Sequence, residues 1–303
     1  MYLPVYESDL SDLERDLVVQ CFDNNFISSQ GDFVREFEEV FANEHGSRFG
    51  IAMANCSVAI HAVLLALKVG PGDEVICPAL TFIAPANMVR LCGATPVLCE
   101  VLEDDLCMDP ENLRRKISSQ TKAIIVVHAF GRMADMIAIK AVADEFSIPI
   151  IEDNAESPFS SRDSLLSGSV GLASTFSFFG NKVFTTGEGG MVLTNDDELA
   201  EQISIIRDHG MSKTERYVHV TVGTNYRMTN MQAAVGCGQM RRKKEILEAR
   251  INIDECYREA FLNSGLPLEY RDVVRWAGTP WLSTVVFNCR QTRDAVRDFL
   301  ASG

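Results

Sequence analysis

Positive charge is scarce in this chain. Its 303 residues include 28 Lys and Arg against 42 Asp and Glu, a formal net charge of −14. Nucleic-acid backbones are gripped by clustered Lys and Arg, so this balance argues against nucleic acid as the main partner. The one compact basic run, Arg241-Arg242-Lys243-Lys244, is followed by acidic residues and reads as a solvated helix face. None of the nine cysteines forms a CxxC pair. Their odd number, and the apolar strand-like setting of Cys77, Cys92 and Cys99, predict buried reduced thiols in a cytosolic protein rather than a disulfide framework or a zinc site. The five histidines show no HExxH or other metal-ligand spacing. No apolar run approaches the length of a membrane span. Met1 to Asp9 lacks the basic and apolar regions of a signal peptide, which makes a cytoplasmic location the expectation. A nicotinamide enzyme would carry a G-x-G-x-x-G turn after its first strand. Residues 50–57 instead read Gly-Ile-Ala-Met-Ala-Asn-Cys-Ser.

Core material is plentiful. Hydrophobic residues make up 47% of the chain and charged residues 23%, enough for one large domain and a smaller one. Helices are expected over 8–23 and 30–44. In the second, Phe33, Phe37, Val40 and Phe41 recur at helical spacing, with Glu36, Glu38 and Glu39 opposite. Strands and helices then alternate. Strands are expected over Phe49–Ala54, Glu74–Cys77, Thr95–Glu100, Lys122–His128 and Ile148–Glu152. Between them lie helices over Ala59–Lys68, Phe82–Cys92, Pro110–Ile117 and Met136–Phe146. The run Ala123-Ile124-Ile125-Val126-Val127 is apolar on both faces, which marks a buried strand. This rhythm predicts an α/β fold: a mostly parallel central sheet flanked by helices and joined by right-handed crossovers. Helix dominates from Met231 to Asn263, followed by a strand over Val285–Cys289 and a helix over Arg293–Ala301. The expected division is a large domain over 1–245 and the start of a smaller C-terminal α+β domain over 246–303.

In open α/β sheets, ligands gather at the carboxyl ends of the strands. Four features fall there. Lys182 ends the aromatic run that begins at Ser174. An amine in a partly dry pocket loses proton affinity and can attack carbonyls, although most lysines are solvated surface charges. Asp153, 29 positions earlier, ends another apolar strand, with Glu156 close after it. A carboxylate there needs a cationic partner or a helix to cap. Asn55-Cys56-Ser57 follows a strand and opens a helix. Its N–H groups and the Ser57 hydroxyl could hold a phosphate, or Ser57 could be an ordinary N-cap. Thr81-Phe82 follows a further strand, and Phe82 could stack on a flat ring or belong to the core. A Schiff-base lysine with an acidic partner for a pyridinium nitrogen is the minimal equipment for pyridoxal phosphate chemistry.

Five segments carry a resemblance: Phe26-Ile27-Ser28-Ser29-Gln30-Gly31, Gly70 to Ile76, Ile151 to Ser157, Phe176 to Gly190, and Asn225 to Ala234. Together, and across nearly the whole chain, they resemble the DegT/DnrJ/EryC1/StrS aminotransferases, the fold-type I pyridoxal-phosphate enzymes that make amino sugars. The run Phe176 to Lys182 is most similar to the 4-amino-sugar branch of GDP-perosamine synthase-like enzymes. The resemblance implies a pyridoxal 5'-phosphate-dependent aminotransferase. It would move an amino group from an amino acid, L-glutamate by family habit, to a nucleotide-sugar substrate, a 4-keto-6-deoxy sugar. The product would serve polysaccharide or natural-product biosynthesis.

The resemblance also implies roles. Lys182 would be the Schiff-base lysine and proton shuttle, and Asp153 the partner of the pyridine nitrogen. Phe82 would stack on the ring. Cys56, Ser57 and Ser177 would hold the phosphate, with Asn181 beside the cofactor. Glu156 stands near the ring hydroxyl. Asn225 would reach the phosphate of a neighbouring subunit, giving a homodimer with shared active sites. Ser29, Thr186 and Glu188 would belong to the pocket. Three departures stand out. Cys56-Ser57 replaces the more usual Gly-Thr pair, and the Cys56 side chain is expected to crowd the phosphate. The stretch Ser160 to Val170 is rich in serine. Relatives continue well beyond residue 303, so the small domain is expected to be truncated. A sugar dehydratase of the same family would carry histidine in place of Lys182. A non-catalytic or regulatory homologue would have no need of Lys182 and Asp153.

Overall fold

The computed structural model describes residues 6–264, 268–271 and 278–302. Helices α1 (Asp12–Asp23) and α2 (Asp32–Glu44) precede strand β1 (Phe49–Met53). There follow α3 (Cys56–Ala66), β2 (Glu74–Pro78), α4 (Ala84–Leu91), β3 (Thr95–Cys99), α5 (Pro110–Lys116) and β4 (Thr121–Val127). Next come α6 (Met136–Phe146), β5 (Ile150–Asp153), a short hairpin of β6 (Ser161–Arg162) and β7 (Leu165–Leu166), then β8 (Ala173–Ser177) and β9 (Gly190–Thr194). Helices α7 (Asp197–Arg207), α8 (Asn230–Arg241) and α9 (Lys243–Asn263) lead to β10 (Leu268–Arg271), β11 (Thr284–Phe287) and α10 (Arg290–Ser302).

Seven strands form one sheet in the order β1-β9-β8-β5-β4-β2-β3. Only β9 runs against the others, pairing antiparallel with both β1 and β8. The fold is therefore α/β with a mostly parallel sheet, as expected. Side chains alternate across it. Ala123, Ile125 and Val127 of β4 face the core beneath α3, α4 and α7, while Ile124 and Val126 face the core beneath α5 and α6. A third cluster packs α1, α2 and α8 against β8 and β9. With both faces covered, strands as apolar as β4 follow directly.

The structure departs from the sequence expectations at several points. Helix α3 starts at Cys56, three residues early, because the Asn55 side chain caps it by accepting from the Val58 N–H at 3.0 Å. Asn55, not Ser57, is the N-cap. Phe82 lies just outside α4. The helical stretch after Met231 breaks at Arg242 into α8 and α9, and α9 runs unbroken through residue 245. Strand β9 and helix α7 were not foreseen. All nine cysteines are free, but Cys92 is half-buried and Cys256 and Cys289 are exposed. Among the described residues, no helix is long and apolar enough to cross a membrane, and no cluster of His, Cys, Asp and Glu could hold a metal.

An aromatic cluster backs the strand that leads to Lys182. Phe41, Phe176 and Phe178 meet edge to face with centroids 4.9 and 5.1 Å from Phe41. His45 is enclosed with them, its ring 4.2 Å from that of Phe159. Its Nδ1 pairs with the Phe41 carbonyl at 3.0 Å, and its Nε2 is buried without a hydrogen-bond partner among the described residues. Burial pushes the imidazole from 6.5 down to about 4, against the pull of that carbonyl. The folded-state value is depressed, so between these two values the unfolded chain holds the extra proton. The stability is fully present above 6.5 and is lost as pH falls through about 4. That interval corresponds to about 3 kcal/mol. We expect His45→Gln to flatten this limb in urea unfolding measured across the same pH range. A slope equal to that of the native chain would contradict the assignment.

Candidate active site

A cavity of about 560 Å³ opens where the parallel strands end. Its wall includes the last residue of three of them: Val127 of β4, Asp153 of β5 and Ser177 of β8. Asn55 enters it after β1 and Thr81 after β2. The switch in direction at β9 lies alongside. Gly190 opens that strand, and a Cβ there would sit 2.5 Å from the Asn55 carbonyl carbon and 2.7 Å from the Cys56 nitrogen. Only glycine lets the start of α3 pass so close.

The two acids ending β5 point to opposite faces. Glu152 is fully buried away from the cavity. It accepts from His128 Nε2 at 2.9 Å and from the N–H groups of Gly168, Val170 and Gly171 at 2.8, 2.7 and 2.6 Å. Burial alone would raise its proton affinity, but the His128 bond and these backbone donors bring it below the ordinary carboxylate value. His128 Nδ1 accepts from the Ala134 N–H at 3.1 Å, so Nε2 carries the proton. Gly168 has φ +87°, and a Cβ there would meet the Phe176 ring at 2.9 Å. This fully satisfied network fixes the end of β5.

Asp153 faces the cavity. Its Oδ1 accepts from the Ala155 N–H at 3.0 Å and lies 3.9 Å from Cys56 Sγ. Burial raises its proton affinity, opposed by the Ala155 N–H and the charge of Lys182. Glu156 accepts from the Phe130 N–H at 2.7 Å, and burial raises its affinity too, again opposed by Lys182. Phe130 holds the left-handed φ of 54° to present that N–H. Lys182 is the complement: burial lowers the proton affinity of its amine, while Glu156 and Asp153 pull it back. Its Nζ lies 3.7 Å from the centre of the Trp281 ring. Burial and the negative charge of Asp153 push the Cys56 thiol well up, so it stays protonated.

The remaining sequence candidates divide. Cys56, Ser57, Phe82, Ser177, Asn181 and Glu188 all line the cavity. Phe82 is 70% exposed at its rim and presents an aromatic face there. Asn181 Oδ1 is buried and unbonded among the described residues. Asn225, Ser29 and Thr186 lie outside the cavity. Asn225 is exposed, beside the backbone bond from Ala54 N–H to the Tyr226 carbonyl at 2.8 Å. Ser29 accepts from Arg227 Nε at 3.0 Å, and Thr186 donates to the Glu188 carbonyl at 2.7 Å. The sequence reading gave no role to Trp281, or to the cavity pair His61 and Tyr226, whose Nδ1 and hydroxyl oxygen are 2.8 Å apart. His61 could have been found, since it stands one helical turn after Ser57. Nothing local marks Trp281.

A model described as the DegT/DnrJ/EryC1/StrS aminotransferase family matches residues 8–302. The chain belongs to this family. It is 46% identical over 252 residues to a GDP-perosamine synthase of Caulobacter vibrioides, covering 83% of this chain and 68% of that one. A GDP-perosamine synthase of Escherichia coli O157:H7 is 36% identical over 302 residues, covering 99% of this chain and 82% of the relative. The solved aminotransferase of Psychrobacter cryohalolentis superposes with a TM-score of 0.79 at 35% identity, covering 84% of this chain and 67% of that one. As a member of the DegT/DnrJ/EryC1/StrS family, the chain is an aminotransferase that uses pyridoxal phosphate.

The residues present fit that cofactor. An amine whose proton affinity burial lowers, a buried carboxylate at a strand end, an exposed aromatic face and the open first turn of α3 share one cavity. The first N–H groups of a helix have no partner in its own ladder and suit a phosphate. The Cys56 thiol turns toward Asp153 instead of crowding that turn. Because Glu152 fixes β5 from behind, Glu152→Gln sets an NH₂ against N–H donors. We expect a loss of about 3 kcal/mol in denaturant unfolding. Unchanged stability would show that the network does not hold the strand end.

Proposed function

We propose that this aminotransferase carries an amino group from L-glutamate to a 4-keto-6-deoxy sugar linked to GDP, in the cytoplasm and as a homodimer. The observation that carries the reading is the meeting of Lys182 and Asp153 in one cavity at the strand ends. The choice of a GDP sugar is supported by the similarity to two GDP-perosamine synthases.

When bound, pyridoxal phosphate supplies an aldehyde carbon and an electron-accepting ring. The chain's own groups do the rest. Burial lowers the proton affinity of Lys182, which favours its Nζ as a nucleophile and then as a base. That amine would take the proton from the donor's α-carbon and give it up at the carbon that had been the cofactor's aldehyde. The Asp153 carboxylate faces the cavity and would keep a proton on the ring nitrogen. Its raised proton affinity makes it a strong acceptor for that N–H. The first turn of α3, with Cys56 and Ser57, and the hydroxyl of Ser177 would bind the phosphate. The Asn181 amide would lie beside the ring, Glu156 would reach the ring hydroxyl, and Phe82 would cover a ring face. Asn225, which is exposed, would reach the phosphate of the neighbouring subunit. Residues 1–245 would form the cofactor-binding domain and 246–303 the start of a second, where β10 and β11 make a separate two-stranded sheet.

Asp153→Asn should lower turnover by about 10²- to 10³-fold while the thermal midpoint stays close to native. Normal turnover by that variant would remove Asp153 from the ring nitrogen. The substrate is tested by incubating the loaded enzyme with L-glutamate and the GDP, UDP and dTDP forms of a 4-keto-6-deoxy sugar, reading the aminated product by mass spectrometry. We expect the GDP sugar to be converted fastest. A preference for the UDP or dTDP sugar would overturn the nucleotide assignment.

A further inference from the structure

Trp281 belongs to the cavity, yet no role given above uses it. It arrives from the segment before β11 and is anchored there by its own N–H, which donates to the Asn181 carbonyl at 2.7 Å. That carbonyl belongs to the residue before Lys182. The Phe130 ring lies nearly parallel to the indole, at 13° with centroids 6.4 Å apart. The Phe130 N–H in turn holds Glu156. Glu156, Phe130, Trp281 and Asn181 thus form a closed frame around one amine, whose Nζ lies 3.7 Å from the indole centre.

An ammonium over an indole face is attracted by the ring quadrupole, most strongly where water is excluded. Charged and titratable groups bear on Lys182 from every side. Glu156 and Asp153 attract it, and the Cys56 thiol adjoins Asp153. Glu188 lines the same cavity. Arg250 approaches only the backbone, donating to the Lys182 carbonyl at 3.3 Å. The indole face is neutral and is placed directly against the cation. We propose that Trp281 is the resting place of the Lys182 ammonium, holding it inside the cavity whenever the amine is not bonded to cofactor. An amine kept there stays within reach of the cofactor between the two halves of the exchange. The proposal rests on Lys182 being the amine that engages the cofactor.

The test uses cofactor-free protein. Trace acetylation of Lys182 by acetic anhydride is followed against pH by mass spectrometry in the native chain, Trp281→Phe and Trp281→Leu. Thermal unfolding checks that each variant is folded. Loss of the ring face should shift the Lys182 inflection in Trp281→Leu down by about half a unit to one unit. Trp281→Phe, with a weaker ring face, should fall between native and Leu, and it carries the test if the Leu variant does not fold. Coincident inflections, or a rise on removing the indole, would overturn the proposal. The premise fails separately: a cofactor absorbance band that survives Lys182→Ala would remove Lys182 from the cofactor and leave the acetylation result unaffected.

Discussion

The structure depends on a desolvated amine that shares one cavity with two desolvated acids. Burial drives Lys182 toward its neutral form and drives Asp153 and Glu156 toward theirs, while the attraction between them drives all three back. Each group therefore sits nearer to changing its charge than it would in water. That is a useful condition for moving protons and a costly one to maintain. An uncompensated buried charge destabilises by several kcal/mol, so removing any one of the three disturbs the other two.

The rest of the fold keeps these groups in register. A strand presents consecutive side chains to opposite faces. In β5 this gives Glu152 to the closed side and Asp153 to the open one. The closed side is saturated with donors, so the strand end cannot drift. Gly190 lets β9 press against the start of α3, which brings the phosphate-competent turn to the same end of the sheet. The aromatic cluster of Phe41, Phe176 and Phe178 backs β8, from which the chain runs on to Lys182. From the far end of the sequence, Trp281 closes the remaining side.

Much of this was legible in the sequence, and the reasons differ by residue. The buried strand β4 and helix α6 were plain because a wholly apolar run and a strong helical period are local signals. Lys182, Asp153 and Ser57 could be picked out because each follows a strand in a regular βα rhythm, and ligands in such sheets bind at strand ends. The helix starts were displaced because capping is decided by one hydrogen bond: Asn55 caps α3 and so leaves Ser57 free. Strand β9 was missed since its direction depends on neighbours distant in sequence. Trp281 was invisible for the same reason. Its partner Asn181 is 100 positions away, and no spacing rule connects them.

The most direct measurement is the visible absorbance of the protein loaded with pyridoxal phosphate, before and after excess L-glutamate, beside Lys182→Ala. The account predicts a band that requires Lys182 and is bleached by glutamate. A folded protein whose band is unchanged by Lys182→Ala, or which shows no Lys182-dependent band, would contradict it.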